Sequence, residues 1–198
     1  MKKRLLITGG SGFVGGHLLR QAKPDYDVIA TYHNHKYDIP GIDWHYLDLA
    51  SIKSITEVVR YAAPDAVILT AALTAVDECE THQERAFNVN VKEIDTWIEL
   101  SNSHNFKLVF VSSDMVYDGQ KGLYTEEDPV APINYYGETK VIAENKIESN
   151  CQNYVIARAA LIYGTPLTNS NSFSQGILDR INMKQPVKLF HDQYRSPI

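Results

Sequence analysis

Leu5-Leu6-Ile7-Thr8-Gly9-Gly10-Ser11-Gly12-Phe13-Val14-Gly15 joins an apolar triplet, a glycine-rich turn and the start of a helical pattern. The triplet, bounded by glycine, reads as a buried parallel strand. Phe13, Val14, Leu18 and Leu19 recur at helical spacing, so a helix begins inside the glycine cluster. The residues satisfy GxGxxG (Gly10, Gly12, Gly15) and also TGxxGxxG (Thr8, Gly9, Gly12, Gly15). Strand, glycine turn and helix in that order form the setting that holds a dinucleotide pyrophosphate. Glycine turns tightly without a Cβ, and the bare backbone lets an anion reach the unpaired N–H groups and positive dipole end of the helix. A plain glycine-rich turn is the alternative; the position and the flanks weigh against it.

Working outward, residues 26–32, 44–49, 66–72, 106–111 and 153–158 read as further strands. Helices are expected over 51–62, over 77–103 as one long helix or two abutting ones, from Asn134 onward, and over 172–183. The alternation of strands and helices along the chain predicts an α/β fold with a doubly wound parallel sheet. Residues 1–165 would form the dinucleotide-binding domain, and 166–198 the start of a substrate-binding region. An NAD site wants an acid near the end of the second strand, to hold the ribose 2′-hydroxyl. The chain offers Tyr32-His33-Asn34-His35-Lys36 there, and the next acid is Asp38. This polar, partly cationic segment favours NADP(H), with NAD(H) the alternative. His33 and His35, with no third ligand nearby, read as a solvated loop, and no metal site is expected. Asp48 ends the third strand where adenine would lie, or else caps the helix that follows; Ser51 is the other candidate cap. The small Ala71 and Ala72 would let a cofactor pass close. Asn88 and Asn90 sit in a predicted helix against their propensity, so one of them is expected to bond something specific or to lie on the surface.

The 198 residues suit one domain with its own core, 44% hydrophobic and 22% charged. A net charge of −5 argues against nucleic-acid binding, which demands a basic footprint. Two cysteines without metal or disulfide spacing fit a reducing cytoplasm. The opening apolar run ends at Thr8-Gly9-Gly10, too soon for a signal sequence, and no stretch is long enough to span a membrane.

Tyr136-Gly137-Glu138-Thr139-Lys140 places a phenol and an ammonium at i and i+4, neighbours on one helix face. A cation beside a phenol lowers its pKa, which suits proton exchange with a carbonyl. An exposed face with a salt-bridging lysine is the alternative. Ser113 ends the fifth strand, where ligands bind in open α/β sheets.

The glycine turn, the small residues after strand four, Ser113 and Tyr136-x-x-x-Lys140 together resemble the extended branch of the short-chain dehydrogenase/reductase superfamily. The likeness runs in order over residues 4–198. Residues 71–80, AALTAVDECE, resemble the AAxTAVDxxE segment of dTDP-4-dehydrorhamnose reductases, and residues 112–119, SSDMVYDG, resemble their STDYVFDG. Ser113 stands for a Thr and keeps the hydroxyl; Met115 stands for a Tyr and loses a ring and a polar handle. Residues 132–140 are similar to PxNxYGxTK. The resemblance implies Tyr136 as proton donor to a carbonyl, Lys140 on the nicotinamide ribose, and Ser113 on the substrate oxygen. It implies cofactor contacts from Gly9, Gly12, Phe13, Val14, Tyr32, His33, Asp48, Leu49, Ala71 and Ala72. Thr74, Val76, Asp114 and Arg195 would meet a nucleotide-sugar substrate; an ordinary exposed arginine is the other reading of Arg195. A homodimer is an open assembly. Members of this branch continue beyond the position where this chain ends, so 166–198 is expected to begin a region left incomplete. Nucleotide-sugar epimerisation or dehydration with NAD, and a non-catalytic NADP-binding role like that of the regulatory subunit of methionine adenosyltransferase, are the competing readings.

Overall fold

The apolar triplet becomes β1 (Arg4–Thr8), an inner strand of a six-stranded sheet. The computed structural model describes residues 1–37, 39–167, 170, 172–188 and 198. The other strands are β2 (Asp27–Tyr32), β3 (Asp43–Tyr46), β4 (Ala66–Leu69), β5 (Lys107–Ser113) and β6 (Tyr154–Ala159). They lie in the order β3-β2-β1-β4-β5-β6, and every pairing is parallel. Leu6 stands between Ile29 of β2 and Val67 of β4.

Side chains alternate across each strand, so the sheet feeds two cores. Leu6, Ile29, Val67, Leu108 and Phe110 pack against α2 (Ile52–Ala62), α5 (Ile94–His104) and α6 (Tyr135–Asn150), with Trp97 and Ile147 buried among them. Leu5, Ile7, Val28 and Ala30 pack on the other face against Leu19 of α1 (Phe13–Ala22). The strand order reverses between β1 and β4. That switch point opens a crevice at the carboxyl ends of the strands, where ligands bind in such sheets.

Several expectations are corrected or resolved. β3 ends at Tyr46 rather than 49: Leu47 N still donates to Tyr32 O, after which Asp48 turns away, its Oδ1 accepting from Ala50 N at 2.9 Å. Ser51, not Asp48, caps α2, its hydroxyl accepting from Ser54 N. β4 stops at Leu69 because Thr8 Oγ1 draws off Thr70 N and Ala71 N, at 3.1 and 3.2 Å, so both alanines lie beyond the strand. The stretch 77–103, expected as one long helix or two abutting ones, is divided further, into α3 (Val76–Thr81), α4 (Gln83–Phe87), a π-helical turn at Asn88–Lys92, and α5. The final helix, α7 (Phe173–Asn182), follows its cap Ser172. No helix among the described residues is long and apolar enough to cross a membrane.

Candidate active site

The glycine turn is pinned by β2 and by the residue that follows β4. Gly9 N donates to the buried Thr31 Oγ1 at 3.1 Å, and Thr70 Oγ1 donates to Thr8 O. Gly9 adopts φ +63°, a left-handed conformation that suits glycine. A Cβ at Gly15 would lie 2.1 Å from Gly9 O, so only glycine lets α1 start against the turn. The first turn of α1 carries no acid, and its cap residue Gly12 makes no side-chain hydrogen bond. The positive end of the helix is therefore not neutralised by its own residues, and Gly12, Phe13 and Val14 surround it. This cradle fits a dinucleotide pyrophosphate. A small pocket next to it brings together Leu49, Ala71, Ala72, Asn90 and Lys140, joining residues from three distant stretches of sequence that were expected at the cofactor. Tyr32 ends β2, and His33 follows it, stacked on Tyr46 with centroids 5.7 Å apart.

Helix α6 carries the phenol and the ammonium on which the expected proton chemistry rests. Its buried residues include Tyr136, Lys140 and Glu144, a stripe of polar groups where a core-facing helix would carry apolar ones. Gly137 explains how α6 approaches the site. A Cβ there would meet Met115 O at 2.3 Å and Pro132 Cβ at 2.9 Å, so the helix seats directly on the short 3₁₀ turn Asp114–Val116. Gly137→Ala gains up to about 1 kcal/mol of helix propensity but overpacks this contact by about 1–3 kcal/mol. The expected net result is a lower urea midpoint; a raised midpoint would show that the turn yields freely.

Ser113, 8% exposed, donates to Asp114 Oδ1 at 3.2 Å and accepts from Met115 N at 3.1 Å. Burial pushes the Tyr136 phenol up to about 12, reinforced by Cys79 and Asp114, while a hydrogen bond with the Ser113 side chain pulls the other way. The expectation that Lys140 depresses this phenol is not met. Lys140 Nζ donates to Val111 O at 3.0 Å and lies 4.6 Å from the Phe110 ring centroid, against 5.7 Å for Tyr136. Desolvation in turn lowers Lys140 to about 8, with Glu144 and Cys79 opposing. Desolvation therefore outweighs the attraction within the pair. The phenol therefore keeps its proton at neutral pH, and Lys140 releases its own at about 8 rather than 10.5.

Two supports carry no obvious signal in the sequence. Asn90, 4% exposed inside the π-helical turn, accepts from Leu73 N at 2.8 Å and donates to Leu73 O and Thr139 Oγ1. It ties the segment after β4 to α6, and it settles which of the two helical asparagines bonds specifically. Its only clue was a poor helix former inside an otherwise helical run. Glu80 of α3 accepts from Tyr135 N at 2.7 Å, adding a carboxylate to the N-terminus of α6 beside the Asn134 cap. Glu80→Ala is expected to lower stability by about 1 kcal/mol in urea denaturation; an unchanged midpoint would remove this anchoring role.

Val76 and Asp114 line one open cleft beside Tyr117 and Arg158, whereas Thr74 is exposed next to it. Arg195 lies outside the described residues. Among the described residues no group of three His, Cys, Asp or Glu could hold a metal ion.

A parallel sheet in this order, a glycine turn on a bare helix N-terminus, and Ser113 beside Tyr136 and Lys140 define a protein of the short-chain dehydrogenase/reductase class. Within it, the chain belongs to the RmlD substrate binding domain family, which matches residues 2–198. It is 29% identical over 194 residues to a Salmonella typhimurium protein named dTDP-4-dehydrorhamnose reductase, covering 98% of this chain and 62% of that one. A crystal structure of a hypothetical dTDP-4-dehydrorhamnose reductase from Sulfolobus tokodaii superposes with a TM-score of 0.80 at 31% identity, covering 93% of this chain and 63% of that one. A dTDP-4-dehydrorhamnose reductase from Bacillus anthracis, solved in complex with NADP, gives 0.79 at 28% identity, covering 92% and 61%. The chain thus spans less than two thirds of the length of these relatives.

Proposed function

We propose that the chain carries the cofactor-binding and proton-transfer half of an NADP(H)-dependent reductase of a nucleotide-diphosphate 4-keto-6-deoxysugar. The observation that carries this reading is the buried Ser113, Tyr136 and Lys140 set, opening on the carboxyl edge of the sheet beside the glycine cradle. Residues 1–165 would hold the dinucleotide, and 166–198 would begin the sugar-nucleotide region. Phe13 and Val14 would lie against the pyrophosphate, Asp48 and Leu49 against adenine, and Ala71 and Ala72 along the cofactor's path. The absence of an acid at Tyr32-His33 favours NADP(H) over NAD(H). Thr74, Val76, Asp114 and Arg195 would face the substrate.

The reduced nicotinamide supplies the hydride. Tyr136 holds its proton at neutral pH and delivers it to the carbonyl oxygen as negative charge develops there. The Ser113 hydroxyl offers that oxygen a second hydrogen bond. Lys140, charged below about 8, stabilises the phenolate that Tyr136 leaves behind. Beside Ser113 stands one carboxylate, Asp114, followed by the apolar Met115, rather than the acidic pair that dehydration calls for. Both cysteines are free and buried, in keeping with a reducing cytoplasm.

Calorimetric titration tests the cofactor: NADPH is expected to bind at least tenfold more tightly than NADH, and equal or reversed affinities would overturn the preference. Oxidation of NADPH in the presence of a dTDP-4-keto-6-deoxyhexose tests the reaction. Tight NADPH binding without turnover would remove the substrate assignment. Sedimentation velocity decides between a monomer and the homodimer included in this reading.

A further inference from the structure

Helix α6 buries a carboxylate that the proposed chemistry does not use. Glu144 stands one turn beyond Lys140 and is 2% exposed. A buried carboxylate costs several kcal/mol unless it is paired and hydrogen-bonded. Arg158 of β6 provides both: its Nε lies 3.2 Å from each carboxylate oxygen, and its Nη2 donates to Oε2 at 2.8 Å. Such a pair stabilises little compared with apolar residues of the same shape. Its effect here is to fix the planar guanidinium in one orientation. The remaining nitrogen then reaches out of α6 and β6. Arg158 Nη1 donates to Tyr117 OH at 2.7 Å and to Glu126 O at 3.4 Å, and the guanidinium carbon lies 5.3 Å from the Tyr117 ring.

Tyr117 carries the connection into the loop that follows Asp114–Val116. Its hydroxyl donates to Thr125 O at 2.9 Å, and its ring stacks on Tyr124 with centroids 4.4 Å apart. Tyr124 in turn donates to Asp118. The loop has no helix or strand over residues 118–131. Even so, Arg158 ties Tyr117 and Glu126 back to Glu144, on the helix that carries Tyr136 and Lys140. The loop lines the same cleft as Val76 and Asp114.

We propose that Glu144, Arg158 and Tyr117 form a clamp that fixes the loop 117–126 as one wall of the substrate cleft, at a set distance from the reacting groups on α6. The substrate role rests on the function proposed above; the clamp itself does not. Tyr117 and Arg158 are positioning residues, acting on the sugar nucleotide through the loop. An unclamped loop must be ordered when substrate binds, and that cost falls on binding rather than on proton transfer.

Tyr117→Phe is the test, because it keeps the ring and its stacking while removing the acceptor for Arg158 and the donor to Thr125. Amide hydrogen exchange over residues 118–126 is expected to accelerate at least tenfold, with α6 protection unchanged and NADPH affinity within twofold of wild type. KM for the dTDP-4-keto-6-deoxyhexose is expected to rise five- to tenfold while kcat stays within twofold. Unchanged loop exchange would overturn the clamp. So would acceleration spread equally over α6, which marks general destabilisation. A fall in kcat at unchanged KM would overturn the positioning role. Glu144→Gln provides the second variant: loop exchange must rise there too if the bonded chain begins at that carboxylate. Absence of turnover in the wild-type protein would defeat the proposed function instead, and the exchange measurements would still decide the clamp.

Discussion

Tyr136→Phe is expected to reduce turnover by about a thousandfold, within the range that a positioned general acid contributes, while NADPH affinity stays within twofold. The phenol is 8% exposed and burial holds it protonated, with its pKa pushed up to about 12. At pH 7 the proton is in place at the start of the reaction, and it leaves only when a stronger base forms beside it. A developing alkoxide is such a base. Phenylalanine keeps the packing against Cys79 and Ala86 and removes only the oxygen. A buried hydroxyl whose main partner is the Ser113 side chain is a small loss for folding, about 1 kcal/mol. Stopped-flow measurement of NADPH oxidation, with a parallel cofactor titration, checks this. Turnover within tenfold of wild type would mean that another group supplies the proton.

Lys140→Met is expected to act in opposite directions on activity and stability. Turnover falls at least a hundredfold, because the phenolate left on Tyr136 loses the Lys140 cation beside it and the cofactor loses the donor proposed for it. Stability at pH 6–7 rises by about 1–2 kcal/mol. The sign follows from the buried amine. Its folded pKa of about 8 lies below the ordinary value of 10.5, so the folded state holds this proton less tightly than the unfolded chain does. Keeping the lysine charged below pH 8 therefore costs the fold up to about 3 kcal/mol, and the cost fades as pH rises from 8 to 10.5. The bond to Val111 O and the approach to the Phe110 ring return about 1–2 kcal/mol of it. Methionine fills the same space without the charge. Urea denaturation at pH 6.5 and pH 10 checks the claim: the gain present at the lower pH must shrink at the higher. The wild-type protein should also lose stability between pH 10 and 12, where the unfolded chain ionises the tyrosine that the fold keeps protonated. A destabilised Lys140→Met at pH 6.5 would show that the ammonium is a structural asset. The position would then be conventional, rather than one where function opposes stability.

The glycine cluster of the first turn and the lone Gly137 show how sequence and structure divide the information. Gly9, Gly12 and Gly15 announce themselves because the constraint is local: a strand must turn into a helix within a few residues, and only glycine permits the Gly15 contact. Gly137 meets a carbonyl from a separate segment, Met115 O, and nothing in its own neighbourhood foretells that. The same difference separates Ser51, whose cap lies within its own first turn, from Glu80, which caps a helix 55 positions further along the chain. Helix breaks escape periodicity for a related reason. The apolar stripe from Phe87 to Leu100 continues through the π-helical turn, so the pattern gives no sign of where the backbone changes its winding.

By itself the sequence determined the α/β alternation, the parallel sheet, the glycine cradle, and the identity of Ser113, Tyr136 and Lys140 as the groups to watch. Period, spacing and turn chemistry act over a few residues and can be read in one dimension. Tertiary structure alone decided their protonation. The spacing of Tyr136 and Lys140 suggested a cation lowering a phenol, but pKa values depend on how much water each group loses and on what surrounds it. Here both groups are buried, the ammonium turns to a strand carbonyl, and desolvation outweighs their mutual attraction. The bonded chain from Glu144 through Arg158 to Tyr117 was likewise invisible in the sequence, because its three residues come from a helix, an edge strand and a loop that only the folded sheet brings together.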